Sequence, residues 1–139
     1  MRMRLATHDD IPMIAKLARQ WRMELGYVMI PALRESIERQ SLIVADIGGQ
    51  VVGFVNFRRR RDGWQTIYEI AVDRGHLRAG VGRWLVEMVP RPVRLKCTKD
   101  NAANEFYRQI GFKHIGTEVG RKRPLNVYQL EGVADAQKN

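Results

Sequence analysis

The sequence predicts an α/β (α+β) fold built on a mixed, mostly antiparallel sheet, with a parallel central pair and helices on both faces. Apolar residues recur at helical spacing over residues 9–25, whereas short β-branched and aromatic runs follow residue 40. A strand–helix–strand unit then covers residues 64–98. Because a helical crossover returns the chain in the same direction, this unit predicts two parallel strands within the sheet.

The N-terminal third is predicted to be mainly helical. Arg2 to Ala6 could form an edge strand, and the helix over residues 9–25 has Pro12 in its first turn. Gly26 is a plausible end of this helix, and Pro31 begins a second, shorter helical pattern.

Strands are predicted for most of the remaining chain. Gly48 and Gly49 lie between two apolar runs, residues 42–45 and 51–57, which predicts a β-hairpin. A charged turn at residues 58–63 leads into the next strand. The later predicted elements are a strand over residues 64–73, a helix over 81–89, a strand over 93–98, a helix over 103–110, and closing strands over 112–117 and 125–130.

The length of 139 residues fits one domain, which we place at residues 1–132, with a polar tail at 133–139 that we expect to fray. No apolar run approaches the ~18 residues of a membrane span, and we expect no secretory signal. The single cysteine, Cys97, excludes an internal disulfide, suits a cytoplasmic location, and is expected to be a buried thiol. Without a spaced Cys/His cluster, we expect no metal site.

The chain is strongly basic, with 24 Lys and Arg against 15 Asp and Glu and a net charge of +9. Such a surface favours anionic partners, here nucleic acid, acidic lipid, an acidic protein or a phosphorylated cofactor, but does not require a polymer partner. The four arginines at residues 58–61 form either a solvated hairpin tip or a docking site for an acidic acceptor or RNA. The sequence does not indicate an oligomeric state.

A glycine-containing loop joins the strand over residues 64–73 to the following helix. Gly80 and Gly82 allow a tight turn and close approach of a ligand to the backbone. The first amides of a helix lack partners within the helix and attract anions. Since Arg78 and Arg83 add positive charge, the loop is a candidate site for an anion the size of a pyrophosphate. The alternative is an ordinary strand-to-helix turn.

Two motifs together resemble the GNAT N-acetyltransferases. The stretch Leu77-Arg78-Ala79-Gly80-Val81-Gly82 is similar to the family's Arg/Gln-x-x-Gly-x-Gly/Ala loop, with Leu77 departing at the first position. The stretch from Ala103 to Phe112 is similar to its Ala-x-x-Phe-Tyr-x-x-x-Gly-Phe signature. The asparagine that often opens this signature would fall on Asp100; Asn101 is displaced by one residue, and Asn104 is the alternative.

The resemblance implies a GNAT-like fold and acetyl transfer from acetyl-CoA to an amine acceptor. It also implies that the backbone of the preceding strand binds the pantetheine arm and that the glycine loop binds the pyrophosphate. The implied cofactor-binding residues are Ile70, Ala71, Val72, Leu77, Arg78, Ala79, Gly80, Val81, Gly82, Arg83, Asn101, Asn104 and Tyr107.

The resemblance implies that Tyr107 is the general acid that protonates the leaving thiolate; the alternative is a core tyrosine. Glu69 interrupts an apolar strand, where a carboxylate needs solvent, a partner or a catalytic role, so it is the candidate base, acting directly or through water. His76 and His114 are alternatives by pKa alone.

The sequence leaves two other functions open. One is a basic GNAT-fold module that binds nucleic acid without catalysis. The other is an enzyme acting on an RNA-linked amine, such as a charged transfer RNA.

Overall fold

A computed structural model of the protein describes residues 1–132, so the tail expected at residues 133–139 lies outside the described part. The chain divides into two compact units. The first unit comprises residues 1–58 and 67–89, and the second comprises residues 59–66 and those from 90 onward. The single domain expected over residues 1–132 stays a prediction.

The elements follow the predicted order. The strands are β1 Arg2–Leu5, β2 Leu42–Ile47, β3 Gln50–Arg59, β4 Gln65–Val72, β5 Val93–Thr98, β6 Lys113–Val119 and β7 Pro124–Leu130. The helices are α1 Ile11–Gln20, α2 Arg22–Leu25, α3 Ile30–Glu38, α4 Val81–Glu87 and α5 Ala103–Gln109, with short 3₁₀ turns at His8–Asp10 and Arg74–His76.

The strands pair in the order β1-β2-β3-β4-β5-β7-β6. The pairs β1/β2, β2/β3, β5/β7 and β6/β7 are antiparallel. Strands β4 and β5 are parallel, with Gln65 beside Val93 and Thr66 beside Arg94. The predicted mixed, mostly antiparallel sheet with a parallel pair is therefore confirmed.

A buried apolar cluster holds the first unit together. It draws on α1, α3 and the strands β2, β3 and β4, and its members include Ile14, Leu17, Leu33, Leu42, Val44, Phe54 and Ala71. Arg4 adds a polar link, because its guanidinium donates to Asp10 at 2.7 and 2.9 Å and to Asp46 at 3.0 Å. These bonds tie β1 to the beginning of α1 and to β2, and they hold the pKa of Asp10 below its usual range.

The prediction of a single helix over residues 9–25 is wrong in one respect, because the observed helix is interrupted at Trp21. Helix α1 ends at Gln20, and Trp21 has φ −115° and ψ 30° before α2 begins. The Trp21 indole Nε1 donates a hydrogen bond of 2.8 Å to the carbonyl oxygen of Val72. The spacing of apolar residues could not predict this interruption, because the bond to Val72 joins residues far apart in the sequence. Tertiary contacts of this kind commonly override helix propensity.

A close approach to Gly53 sets the position of α4 against β3. A Cβ added at Gly53 would lie 3.1 Å from side-chain atoms of both Leu85 and Val81, and 3.2 Å from the carbonyl oxygen of Ala71. Ordinary van der Waals contact needs about 3.5–4.0 Å between carbon atoms. The absence of a side chain at residue 53 therefore lets the helix that follows the glycine loop pack directly on the strand.

Cys97 is buried in the second unit, as the sequence predicts. Burial raises the pKa of its thiol to about 11, and the nearby Asp100 adds to this increase. The thiolate form is therefore scarce at neutral pH. Within residues 1–132, no helix is both long and apolar enough to cross a membrane.

Candidate active site

The glycine loop lies in the first unit, directly after β4. Leu77, Arg78, Ala79 and Gly80 are exposed, and α4 begins at the buried Val81. Gly80 has φ +82°, in the left-handed region that favours glycine, and no atom lies within 4 Å of the position that its Cβ would take. The loop thus presents open backbone at the point where the first amides of α4 lack partners within the helix.

Arg78 also has a left-handed backbone, with φ +65°. For a residue with a side chain this conformation costs roughly 1–2 kcal/mol, and residues strained in this way cluster at functional sites. The conformation turns the chain between the exposed loop and α4 and keeps the arginine exposed. The sequence motif placed Arg78 in the loop but did not predict its strained backbone.

The end of β4 supplies the backbone that the family resemblance assigns to pantetheine. Ala71 is buried, while Ile70 and Val72 are half-buried. The carbonyl oxygen of Val72 accepts the bond from Trp21. The amide of the next residue, Asp73, donates to the carbonyl oxygen of Val52 at 2.8 Å, so the chain is anchored where it leaves the strand.

Glu69, the candidate base, is half-buried on β4 and is bonded to a side chain that is not among the predicted site residues. Asn56 on β3 donates from Nδ2 to Oε1 of Glu69 at 2.7 Å. Burial raises the pKa of Glu69, and the bond from Asn56 opposes part of that increase. A carboxylate with a raised pKa is a stronger base than an exposed one.

Asn56 itself is buried, and its Oδ1 has no hydrogen-bond partner among the described residues. The signal that could have found it is its place as the one amide in the apolar run at residues 51–57. A buried amide in such a run needs a polar partner, and here that partner is Glu69.

Tyr107 lies in the second unit on α5, where it is buried within an aromatic cluster. Its ring centroid is 5.4 Å from Phe106, 5.6 Å from Phe112 and 5.9 Å from Tyr128. Burial raises the pKa of the phenol above its usual value, and the nearby Cys97 and Tyr128 add to the increase. The hydroxyl is therefore protonated at neutral pH, as a general acid must be, while the ring also packs the interior.

Asn104 is the hydrogen-bonding centre of the second unit. Its Nδ2 donates to the carbonyl oxygens of Thr98 at 2.9 Å, Lys99 at 3.3 Å and Asn101 at 2.6 Å. Its Oδ1 accepts from Tyr128 at 2.8 Å and from Asn126 at 3.0 Å. Both ends of this buried amide are engaged inside the protein. Asn101 lies in the turn before α5, where its Oδ1 accepts from the amide of Ala103 at 2.8 Å.

The two histidines considered as alternative bases have other contacts. Nδ1 of His76 lies 2.9 Å from Oδ2 of Asp73 within the loop that follows β4. His114 is in the second unit, with its ring centroid 5.4 Å from that of Tyr128.

Within each unit, the proposed residues lie on consecutive elements of the chain. In the first unit, Glu69 precedes the three backbone residues of β4 and the glycine loop. In the second unit, Asn101, Asn104 and Tyr107 share α5 and the turn before it. Among residues 1–132, no group of three or more potential ligands is placed to hold a metal ion.

Comparison with protein families decides the affiliation. The model of the acetyltransferase (GNAT) domain matches residues 38–114, which is more than half of the chain. The chain belongs to the GNAT acetyltransferase family. It is therefore an acetyl-CoA-dependent N-acetyltransferase, and the match spans both the glycine loop and the signature that contains Tyr107.

Solved GNAT structures share the fold at low sequence identity. Ard1 from Thermoplasma volcanium is 22% identical with a TM-score of 0.80, over 93% of this chain and 95% of that one. The ribosomal-protein-alanine N-acetyltransferase from Brucella melitensis is 20% identical with a TM-score of 0.73, over 94% and 99%. The putative acetyltransferase yncA from Salmonella typhimurium, solved with acetyl-CoA, is 20% identical with a TM-score of 0.72, over 98% of each chain. No curated protein matches the sequence.

Proposed function

We propose that this GNAT acetyltransferase transfers acetyl directly from acetyl-CoA to an amine within a ternary complex. The amine nitrogen attacks the thioester carbonyl carbon, the C–S bond breaks, and the products are an amide and free CoA. Glu69, directly or through a water molecule, takes the proton that the amine loses, and Tyr107 gives a proton to the departing thiolate. The observation that carries this proposal is the place of Glu69 on β4, immediately before the three backbone residues assigned to the cofactor, with its carboxylate bonded to Asn56 at 2.7 Å and its pKa raised by burial.

The alternative route through an acetylated cysteine lacks a suitable nucleophile. The reactive form of cysteine is the thiolate, and reactive cysteines have lowered pKa values and partial exposure. Cys97 is buried and has the opposite shift, to about 11. Direct transfer therefore fits the chain better than a two-step transfer through Cys97.

For the cofactor, we propose that pantetheine binds along the backbone of Ile70, Ala71 and Val72, and that backbone amides near Val72 polarise the thioester carbonyl. The amides of residues 77–83 hold the pyrophosphate, with Arg78 and Arg83 adding charge. Of the two asparagines, Asn101 is the better candidate for a cofactor contact, because the Nδ2 of Asn104 already donates to three carbonyl oxygens.

Two measurements test this function. Calorimetry should detect acetyl-CoA binding by the purified protein, and an acceptor screen that follows free thiol should identify the amine. A protein that binds acetyl-CoA but transfers acetyl to no amine, peptide or RNA-linked acceptor would contradict the catalytic proposal. A protein that does not bind acetyl-CoA would contradict the proposed cofactor site as well.

Gly80→Val should weaken acetyl-CoA binding by about tenfold or more, measured by calorimetry. A β-branched side chain at φ +82° is strained, and it would occupy the open space beside the loop backbone. Gly63→Val is a matched control, since Gly63 has φ +89° and is also open but lies in the hairpin turn. Equal affinity for the wild type and a folded Gly80→Val protein would remove the pyrophosphate from this loop.

A second candidate function is transfer to an amine carried by nucleic acid. The excess positive charge is concentrated in the second unit, which has 13 Lys and Arg against 6 Asp and Glu. Some of that charge is neutralised, since Arg94 bonds to Asp62 at 3.0 Å and Lys96 to Glu118 at 3.0 Å. Both cations therefore already have a carboxylate partner within the protein. The remaining excess still favours a polyanion.

Replacing the four arginines at residues 58–61 with serine tests this candidate. Transfer RNA binding, measured by fluorescence anisotropy, should weaken at low salt, and the difference from wild type should shrink as salt rises. Acetyl-CoA affinity should hardly change, because the hairpin turn is a separate segment from the glycine loop. Equal losses for RNA and acetyl-CoA would contradict this separation, and unchanged RNA binding would exclude the tip as a docking site.

A further inference from the structure

The interruption of the first helix at Trp21 brings the end of α1 into contact with the end of β4. Trp21 leaves the helical conformation, and its indole Nε1 donates to the carbonyl oxygen of Val72 at 2.8 Å. Val72 is the last residue of β4, so this bond lies where the chain turns toward the glycine loop. A continuous helix through residue 25 would not leave Trp21 with this backbone conformation.

Gln20, the last residue of α1, contacts the next two residues of the turn. Its side-chain Nε2 donates to Oδ1 of Asp73 at 2.8 Å, and its Oε1 accepts from the amide of Arg74 at 3.1 Å. Its backbone carbonyl oxygen accepts from Nη2 of Arg74 at 2.8 Å. The Arg74 guanidinium carbon also lies 4.0 Å from the centroid of the Trp21 ring, within cation–π distance.

Asp73, which accepts the bond from Gln20, also contacts the two residues that follow Arg74. Its Oδ2 accepts from the amide of Gly75 at 3.2 Å and lies 2.9 Å from Nδ1 of His76. Gln20 and then His76 hold the pKa of Asp73 below its usual value, so it remains a carboxylate at neutral pH. A connected set of bonds therefore runs from the end of α1 to within one residue of the glycine loop.

We infer that Gln20 and Trp21 are positioning residues that order the glycine loop for acetyl-CoA before the cofactor arrives. They fix the direction in which the chain leaves β4, and a loop that is already ordered loses less entropy on binding. Nothing in this role requires either residue to touch the cofactor. The inference rests on the proposed cofactor site at residues 77–83.

The variants Trp21→Phe and Gln20→Ala test the inference. Phe keeps the aromatic ring but cannot donate to Val72, and Ala removes both side-chain bonds of Gln20. Each should raise the Kd and KM for acetyl-CoA by about 5–30-fold, the worth of one or two such bonds. The kcat at saturating acetyl-CoA and the KM for the acceptor should be unchanged, a split that a general loss of stability would not produce.

Trp64→Phe is the matched control. Trp64 is in the second unit and is also covered by an arginine, since the guanidinium carbon of Arg94 lies 4.6 Å from its ring centroid. The same chemical change there should leave acetyl-CoA affinity at the wild-type value. If Trp21→Phe and Trp64→Phe weaken binding equally, the positioning role of Trp21 is overturned.

Hydrogen exchange of the free protein separates this inference from the proposed function. Amides of residues 74–83 should exchange faster in Trp21→Phe and Gln20→Ala than in wild type, with no cofactor present. Unchanged exchange in both folded variants, or tighter acetyl-CoA binding by either, would overturn the inference. If wild type binds no acetyl-CoA, the proposed cofactor site fails, while the exchange comparison still decides whether these residues order the loop.

Discussion

Tyr107→Phe should lower turnover by about 10²–10⁴-fold, the usual contribution of a positioned proton donor, with little change in acetyl-CoA affinity. The substitution keeps the ring and its edge-to-face contacts with Phe106 and Phe112 and removes only the hydroxyl. The two quantities are measured separately, as kcat from steady-state kinetics and Kd from calorimetry. Full turnover with a normal pH profile would mean that solvent protonates the thiolate.

Tyr128→Phe is the control for this prediction. Tyr128 is buried in the same aromatic cluster, but its hydroxyl donates to Oδ1 of Asn104. Its loss should lower the free energy of unfolding by about 1 kcal/mol, the net value of one hydrogen bond, with turnover of the folded enzyme nearly unchanged. If Tyr107→Phe behaves like Tyr128→Phe in both measurements, Tyr107 is a core residue and the acid assignment is withdrawn.

Glu69→Gln should lower the rate at neutral pH by about 10²–10⁴-fold, because the amide cannot accept the amine proton. The rate should partly recover at higher pH, where more of the amine is already deprotonated. In wild type, the raised pKa of Glu69 means that activity should fall as pH drops through a value above 4.5, the ordinary pKa of a glutamate. This acidic limb should be missing from the pH profile of Glu69→Gln.

Glu105→Gln provides the comparison, since Glu105 is an exposed carboxylate on α5 that pairs with Arg108 at 3.4 Å. The Glu105→Gln substitution makes the same change of charge at a surface site and should leave the pH profile of the enzyme unchanged. If the acidic limb of Glu69→Gln matches that of wild type, Glu69 is excluded as the base. Water would then take the amine proton without help from Glu69.

The order of the elements was predictable from local sequence, because the hydrophobic periodicity and the turn residues that define each element lie close together in the sequence. The parallel pair of β4 and β5 follows from the helix between them, and Gly48 and Gly49 give the first hairpin. The interruption at Trp21 was not predictable in this way, since its cause is a bond to Val72, 51 residues away in sequence.

In the candidate site too, residues that belong to local sequence motifs were predictable, whereas features that depend on contacts between distant residues were harder to predict. The glycine loop, Glu69 and Tyr107 carry sequence signals, because their neighbours form recognisable patterns. Asn56 carries a weaker signal, since its relation to Glu69 depends on side chains from two strands meeting. The left-handed backbone of Arg78 gives no sequence signal, because such a conformation is uncommon for residues other than glycine.

The hydrogen bonds of Asn104 leave its position little freedom to vary. The site needs donors on one side, for three carbonyl oxygens, and an acceptor on the other, for Tyr128 and Asn126. Aspartate has the right length but offers only acceptors when ionised, whereas glutamine has the right groups on a longer chain. Alanine would leave several buried groups unsatisfied. A library randomised at residue 104 and selected only for folding should therefore return asparagine almost alone, even without any demand for catalysis.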